Sequence, residues 1–316
     1  MKTLRVAFLG GGTMALRQAA ALLEAGLPRT GLVAVYDRDR AVARAFSDRF
    51  GSTPVTSSRA ALQAASHVVI ATSAGAHARD AIEALTMRRS VFVEKPLALT
   101  VRDGAAMTVL AERLGLHLHV GLSERFHPVL RALFAELDGR RVDRIACARH
   151  VTAMRARDCS VAMNLAVHDV DLALELTHGG LEFDALHGDV AATRFEGHFL
   201  GAHGESVRVV ATDHAAAPAR TISVTAGNVR YEGDLLAGSL SKHVFGLATA
   251  VPVARADGLV SQASALLDVW TGRAALGPAT ARDAFRGLAL LARATRSAAI
   301  DSAVGPENLP RPAPFG

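Results

Sequence analysis

Cysteine is nearly absent. Cys147 and Cys159 are the whole complement of a chain of 316 residues. Two thiols cannot build the disulfide framework of a small secreted fold, so both read as reduced. No apolar run approaches the roughly 18 residues that cross a bilayer. The N-terminal stretch turns apolar for only a few residues before three glycines, without the apolar core or cleavage site of a secretory signal. The expectation is a cytoplasmic protein with no membrane partner. Runs of five like charges are also missing, although the net charge is +5 and the pI about 9.8. Arginines such as Arg38, Arg40, Arg44 and Arg49 are scattered as on a solvated helix face. No DNA-recognition helix stands out, so no nucleic-acid partner is expected. The positive balance is compatible with an anionic nucleotide ligand without arguing for one.

What is there is alternation. Short β-branched runs at 4–9, 32–36, 67–71, 90–93 and 116–120 are separated by alanine-rich stretches of helical spacing at 15–25, 41–50, 76–85 and 101–114. This βαβα pattern predicts an α/β, doubly wound parallel sheet of the Rossmann type. After residue 121 the pattern changes. Helices are expected at 129–137, 164–177, 258–270 and 279–298. Strands are expected at 145–152, 186–195, 206–212, 221–225 and 229–235. The reading is two domains, 1–120 for a dinucleotide and 121–316 an α+β domain with a largely antiparallel open sheet for substrate and oligomer contacts.

The first strand ends in Gly10-Gly11-Gly12-Thr13-Met14-Ala15, and a helix follows. The spacing is G-x-G-x-x-A. Gly10 permits a tight turn, Gly12 lets a pyrophosphate approach the backbone, and Ala15 packs the helix close to the strand. The helix N-terminus then faces the phosphates, with Thr13 and Met14 in its first turn. Asp37 ends the second strand, where an acid accepts hydrogen bonds from the adenosine ribose and repels a 2′-phosphate. NAD is therefore expected, with NADP possible because Arg38 follows directly; a turn or cap role for Asp37 is the alternative.

The fourth run ends Glu94-Lys95-Pro96, placing a charged pair at the carboxyl edge of the sheet, where doubly wound domains bind ligands. A lysine there can donate to a reacting hydroxyl and stabilise developing charge. With Thr72 and His77 after the third run, Arg125-Phe126-His127-Pro128, and His168-Asp169-Val170-Asp171, the chain resembles the Gfo/Idh/MocA oxidoreductases. The segment Val120-Gly121-Leu122-Ser123-Glu124-Arg125-Phe126-His127-Pro128 and the run Asn164-Leu165-Ala166-Val167-His168 are similar to a branch that oxidises the 3-hydroxyl of UDP-N-acetylglucosamine. His127 stands where that branch carries Asn.

The resemblance implies NAD(P) in the first domain, with Gly10, Gly12, Thr13, Met14, Asp37, Arg38, Thr72, His77 and Glu94 toward the cofactor. It implies Lys95 and His168 as catalytic groups, and a homodimer or homotetramer. Histidine suits the base because its pKa lies near neutrality. Many family members carry Asp at the position of Asn164, which leaves proton transfer to His168 and Lys95 and gives Asn164 a substrate-orienting part. Arg155 and Arg157 are candidates for a UDP diphosphate. His168, Asp169 and Asp171 do not share one helical face, so no metal is expected; Asp169 and Asp171 read as solvated, capping or supporting residues. Glu124 and Arg125 read as a brace, paired with each other or with Glu94. The function expected is hydride transfer from C3 of a UDP-linked amino sugar. The open alternatives are an inositol or sugar dehydrogenase or keto-sugar reductase of the same family, and a catalytically silent NAD-binding sensor.

Overall fold

The apolar runs near the N-terminus become the centre of a parallel sheet. A computed structural model describes residues 4–152, 159–185, 193–274 and 277–303. Its first sheet contains β1 (Val6–Leu9), β2 (Leu32–Tyr36), β3 (Thr53–Pro54), β4 (His67–Ile70), β5 (Ser90–Val93) and β6 (Leu118–Val120), in the order β3-β2-β1-β4-β5-β6. β1 and β5 are buried on both faces, which their uninterrupted apolar sequence requires. Helices α1 (Thr13–Glu24), α2 (Arg40–Phe50), α3 (Ser58–Ala64), α4 (His77–Thr86) and α5 (Val101–Leu114) connect them. Local chemistry sets their ends. Asp39 caps α2, Ser57 caps α3, and Thr100 caps α5. Gly51 and Gly115 end α2 and α5 at positive φ, where a glycine costs least. The strand order reverses between β1 and β4, and a crevice forms at their carboxyl ends.

The second domain holds α6 (Pro128–Leu137), β7 (Arg144–His150), α7 (Val167–Leu176), β8 (Leu181–Ala185), β9 (Arg194–Gly201), β10 (Ser206–Thr212), β11 (Ala219–Ala226), β12 (Val229–Asp234), β13 (Ser239–Val244) and β14 (Leu247–Val251). The sheet runs β14-β13-β12-β11-β7-β10-β9-β8. β7 and β10 pair in parallel and the other pairs are antiparallel. Ile145, Cys147, Val207, Val209, Ile222, Val224 and Tyr231 alternate onto its buried face, against α6 and α7. The expected mixed, largely antiparallel sheet is present, and the expected 186–195 strand overlaps β9 only at residues 194 and 195. β8 and β9 bracket residues 186–192, which lie outside the described residues.

Helices α8 (Gly258–Trp270) and α9 (Ala281–Ala303) cross back. Ala263, Leu266, Leu267 and Trp270 of α8 share an apolar cluster with Phe8, Ala15, Ala19 and Leu22. α9 packs on α5 and α7. α8 and α9 thus cover α1 and α5 of the parallel sheet's helical layer. No helix among the described residues is long and apolar enough to cross a membrane.

Candidate active site

Gly10 adopts φ +90°, and a Cβ there would lie 2.5 Å from the carbonyl oxygen of Ala71. The turn therefore needs glycine twice over, for its dihedral and for its contact. At Gly12 the opposite holds: a Cβ would meet nothing within 4 Å. That open space lies at the N-terminus of α1, which carries no side-chain cap and no acid in its first turn. Unsatisfied N–H groups and a positive helix end are a cradle for phosphate.

A cleft of about 520 Å³ continues from this point. Gly12, Tyr36, Asp37, Arg38, Thr72 and Arg79 are among its lining residues. Asp37 Oδ2 accepts from the Gly11 N–H at 2.8 Å, and Oδ1 from the Asp39 N–H at 2.9 Å. Its carboxylate is held at the second strand's edge while also bracing the glycine loop. Thr72 donates to Asp80 at 2.8 Å. His77 does not line this cleft. It is buried, with Nδ1 2.8 Å from the Pro96 carbonyl oxygen and Nε2 3.1 Å from that of Thr72. Its ring ties together two loops that border the site. The cleft, the uncapped helix and the glycine loop fit a dinucleotide.

A second cleft of about 460 Å³ opens between the domains, where Met14, Arg17, Glu94, Lys95, His127, His168 and Arg220 meet. Lys95 reaches the second domain: Nζ donates to the Asn164 backbone oxygen at 2.8 Å and to Asn164 Oδ1 at 2.6 Å. Residues Ala162–Ala166 form a π-helical turn before α7. Such a turn shifts the carbonyl ladder and is frequent at functional sites; here the Asn164 carbonyl accepts from a lysine. Asn164 and His168 remain about one turn apart. His168 is buried, and its Nδ1 has no hydrogen-bond partner among the described residues. Burial, and then the charges of Arg149, Lys95 and Arg220, push its pKa well below the ordinary histidine value.

Behind the cleft lies a charged network. Arg149 donates through Nε and Nη2 to Asp169, both at 2.9 Å, and through Nη1 to Glu124 at 3.3 Å. Arg220 also bonds Glu124. Arg125 grips Asp171 in the same forked way, at 2.8 and 2.6 Å, and meets Glu175 at 2.9 Å. Asp169 and Asp171 are therefore buried partners of arginine and not solvated groups. Nor do Glu124 and Arg125 pair with each other or with Glu94: they brace two separate networks. Buried carboxylates require such partners. Among the described residues no cluster of His, Cys, Asp or Glu is placed to hold a metal ion.

Arg155 and Arg157 lie outside the described residues. Thr13 starts α1 without lining either cleft. Glu94 borders the second cleft and not the first, with Oε1 accepting from Gln18 Nε2 at 2.7 Å. Sequence reasoning missed Gln18, Arg149 and Arg220. Gln18 had a signal: it is a polar residue on the stripe Ala15, Ala19, Leu22 that α1 buries. The arginines had none, because their partners come from distant segments.

A Rossmann sheet whose uncapped α1 faces a nucleotide-sized cleft defines a dinucleotide-binding domain. Residues 4–122 match the family model described as "Oxidoreductase family, NAD-binding Rossmann fold", a likeness confined to the part of the chain that carries the parallel sheet. Glucose-6-phosphate 3-dehydrogenase of Bacillus subtilis (strain 168) is 27% identical over 122 residues, which cover 39% of this chain and 34% of that protein. The matched stretch spans about a third or less of the curated relatives. The solved UDP-N-acetylglucosamine 3-dehydrogenase GnnA from Acidithiobacillus ferrooxidans superimposes with TM-score 0.83 at 22% identity, over 94% of this chain and 98% of that one. GenD2 from gentamicin A biosynthesis, solved in complex with NAD, gives 0.78 at 23% identity and 95% coverage of both chains. At these identities the structural likenesses establish the fold.

Proposed function

We propose that the chain is an NAD-dependent dehydrogenase that oxidises the C3 hydroxyl of a UDP-linked amino sugar. The observation that carries this reading is the convergence of Lys95 and His168, from different domains, on one cleft beside the dinucleotide cleft. Two of the similar proteins bear 3-dehydrogenase names, one acting on a sugar phosphate and one on a UDP-sugar.

When bound, NAD⁺ supplies the acceptor for the hydride leaving C3. His168 takes the hydroxyl proton. Its lowered pKa keeps the ring neutral at pH 7 and able to accept. Lys95 donates a hydrogen bond to the same oxygen. Its ammonium stabilises the alkoxide that forms as His168 takes the hydroxyl proton, and that charge is discharged as the hydride leaves C3. Asn164 positions Lys95. Asp37 selects NAD over NADP through the ribose, and Arg155 and Arg157 meet the diphosphate of the sugar nucleotide. The enzyme acts in the cytoplasm as a homodimer or homotetramer.

The test is NADH formation with a panel of UDP-hexosamines, free sugars and inositols, with an aminotransferase present to consume the keto product. Turnover confined to UDP-hexosamines is expected. Turnover only with unlinked sugars or inositols rejects the substrate, and Lys95→Ala with undiminished turnover rejects the mechanism.

A further inference from the structure

Glu94 is the least explained group in the second cleft. It is 6% exposed, directly precedes Lys95, and is enclosed from three sides. Gln18 Nε2 donates to Oε1 at 2.7 Å. The loop after β6 presses on the other oxygen, since a Cβ on Gly121 would lie 2.8 Å from Oε2. The backbone N–H of Lys95 also hydrogen-bonds the carboxylate. The charged groups acting on it are Lys95, its chain neighbour, and Arg17 of α1; Gly121 contributes none.

We propose that Gln18 is a positioning residue that acts through Glu94 to hold Lys95 charged and in register with the second cleft. The inference rests on the proposed dehydrogenase reading only for its catalytic readout.

The argument is one of supply. A buried carboxylate keeps its charge only if hydrogen-bond donors replace the lost water. Burial pushes the Glu94 pKa up, whereas the Gln18 hydrogen bond and the Lys95 charge pull it down. Gln18 supplies a side-chain hydrogen bond to that carboxylate, and it is 3% exposed, so water does not substitute easily for it. Loss of that amide favours protonated Glu94, and a neutral Glu94 no longer supports the adjacent ammonium. Gln18 also lies on α1, the helix whose N-terminus opens on the first cleft. One rigid element therefore connects the phosphate cradle to the lysine. A side chain serving only to fill the core would be replaceable by leucine without any change in titration.

The experiment is infrared titration of the Glu94 carboxyl band in the apo protein, identified by its loss in Glu94→Gln. It is combined with NAD⁺ binding by calorimetry and the pH profile of turnover. Gln18→Leu is expected to raise the Glu94 midpoint by about one pH unit or more, the ordinary worth of a hydrogen bond to a charged group. NAD⁺ affinity is expected to hold within roughly threefold while kcat falls about tenfold at little change in KM, because the lost interaction serves the reaction and not binding. Gln18→His, which retains a ring N–H, should restore both. Gln18→Glu, of the same shape, should raise the midpoint further and serves if the leucine variant does not fold. A folded Gln18→Leu or Gln18→Glu whose titration superimposes on the wild type overturns the inference, whatever the substrate. Absence of turnover with every UDP-sugar overturns the proposed substrate and leaves the titration result standing.

Discussion

Lys95 and Asn164 are joined twice, through the side-chain oxygen and the backbone oxygen of the asparagine, across 69 positions of sequence and between two domains. A lysine at the edge of the parallel sheet is thereby seated on the π-helical turn that leads to His168. The two candidate proton-handling groups cannot shift independently, and this coupling frames the predictions that follow.

Asn164→Ala removes one of the two acceptors and leaves the backbone one. Turnover is expected to fall about tenfold, and Lys95→Met about 100-fold or more, as for loss of a donor to a developing oxyanion. Calorimetric NAD⁺ affinity should be nearly constant in both. Equal losses of affinity and turnover would instead place Lys95 on the cofactor.

Gly10 and Gly12 make a discriminating pair. Gly10→Ala forces a Cβ into the Ala71 carbonyl at positive φ, and a cost of about 2–4 kcal/mol is expected in denaturant unfolding. The Cβ of Gly12→Ala meets no protein atom; its stability should stay within about 1 kcal/mol of wild type, since surface changes cost little. Only NAD⁺ binding should suffer, by calorimetry.

Acid should weaken the fold partly through His67. Burial and the neighbouring His117 lower its pKa to about 4. Below the unfolded value of about 6.5, the unfolded chain binds a proton that the folded one refuses. The His67 contribution to stability is therefore complete above pH 6.5 and declines as pH falls toward 4. At pH 5 the linkage amounts to about 2 kcal/mol. His67→Phe, which keeps a ring against Trp270, should lose less stability than wild type between pH 7 and 5. Parallel denaturant curves at the two pH values check this, and an equal loss in both proteins would count against it.

The pH profile of turnover tests the base. Because the His168 pKa lies well below the ordinary value, kcat should show no acid limb centred at 6.5 or above. An acid limb there that disappears in His168→Asn would mean that bound substrate and cofactor restore an ordinary pKa.

Asp171→Asn breaks the forked Arg125 pair and leaves Arg125 with Glu175; a loss of about 1–3 kcal/mol is expected, with turnover per folded molecule unchanged. Asp169→Asn should cost similar stability and also impair turnover, because Arg149 bears directly on His168.

The first sheet was legible because buried parallel strands must be continuously apolar, and β1, β2, β4 and β5 fall on the runs that sequence alone marks. β13 and β14 were not: Ser-Leu-Ser-Lys-His-Val and Leu-Ala-Thr-Ala-Val lie at an exposed edge, where no strong alternation is required. The glycine loop, Lys95 and Asn164–His168 could be read locally, since their meaning lies in neighbours along the chain. Asp169 and Asp171 could not. Whether a carboxylate is solvated or gripped depends on arginines 20 and 46 positions away, and spacing says nothing about which faces meet. Nor could a boundary at residue 120 anticipate that α8 would return to cover α1.

That return sets an order of events during synthesis. The face of α1 that Leu266, Leu267 and Trp270 cover is translated well before α8, which supplies the cover. At roughly 5–20 residues per second, the nascent chain carries an unshielded apolar patch for on the order of ten seconds or more after its glycine loop has left the ribosome. Any truncation between α1 and α8 would leave that patch uncovered.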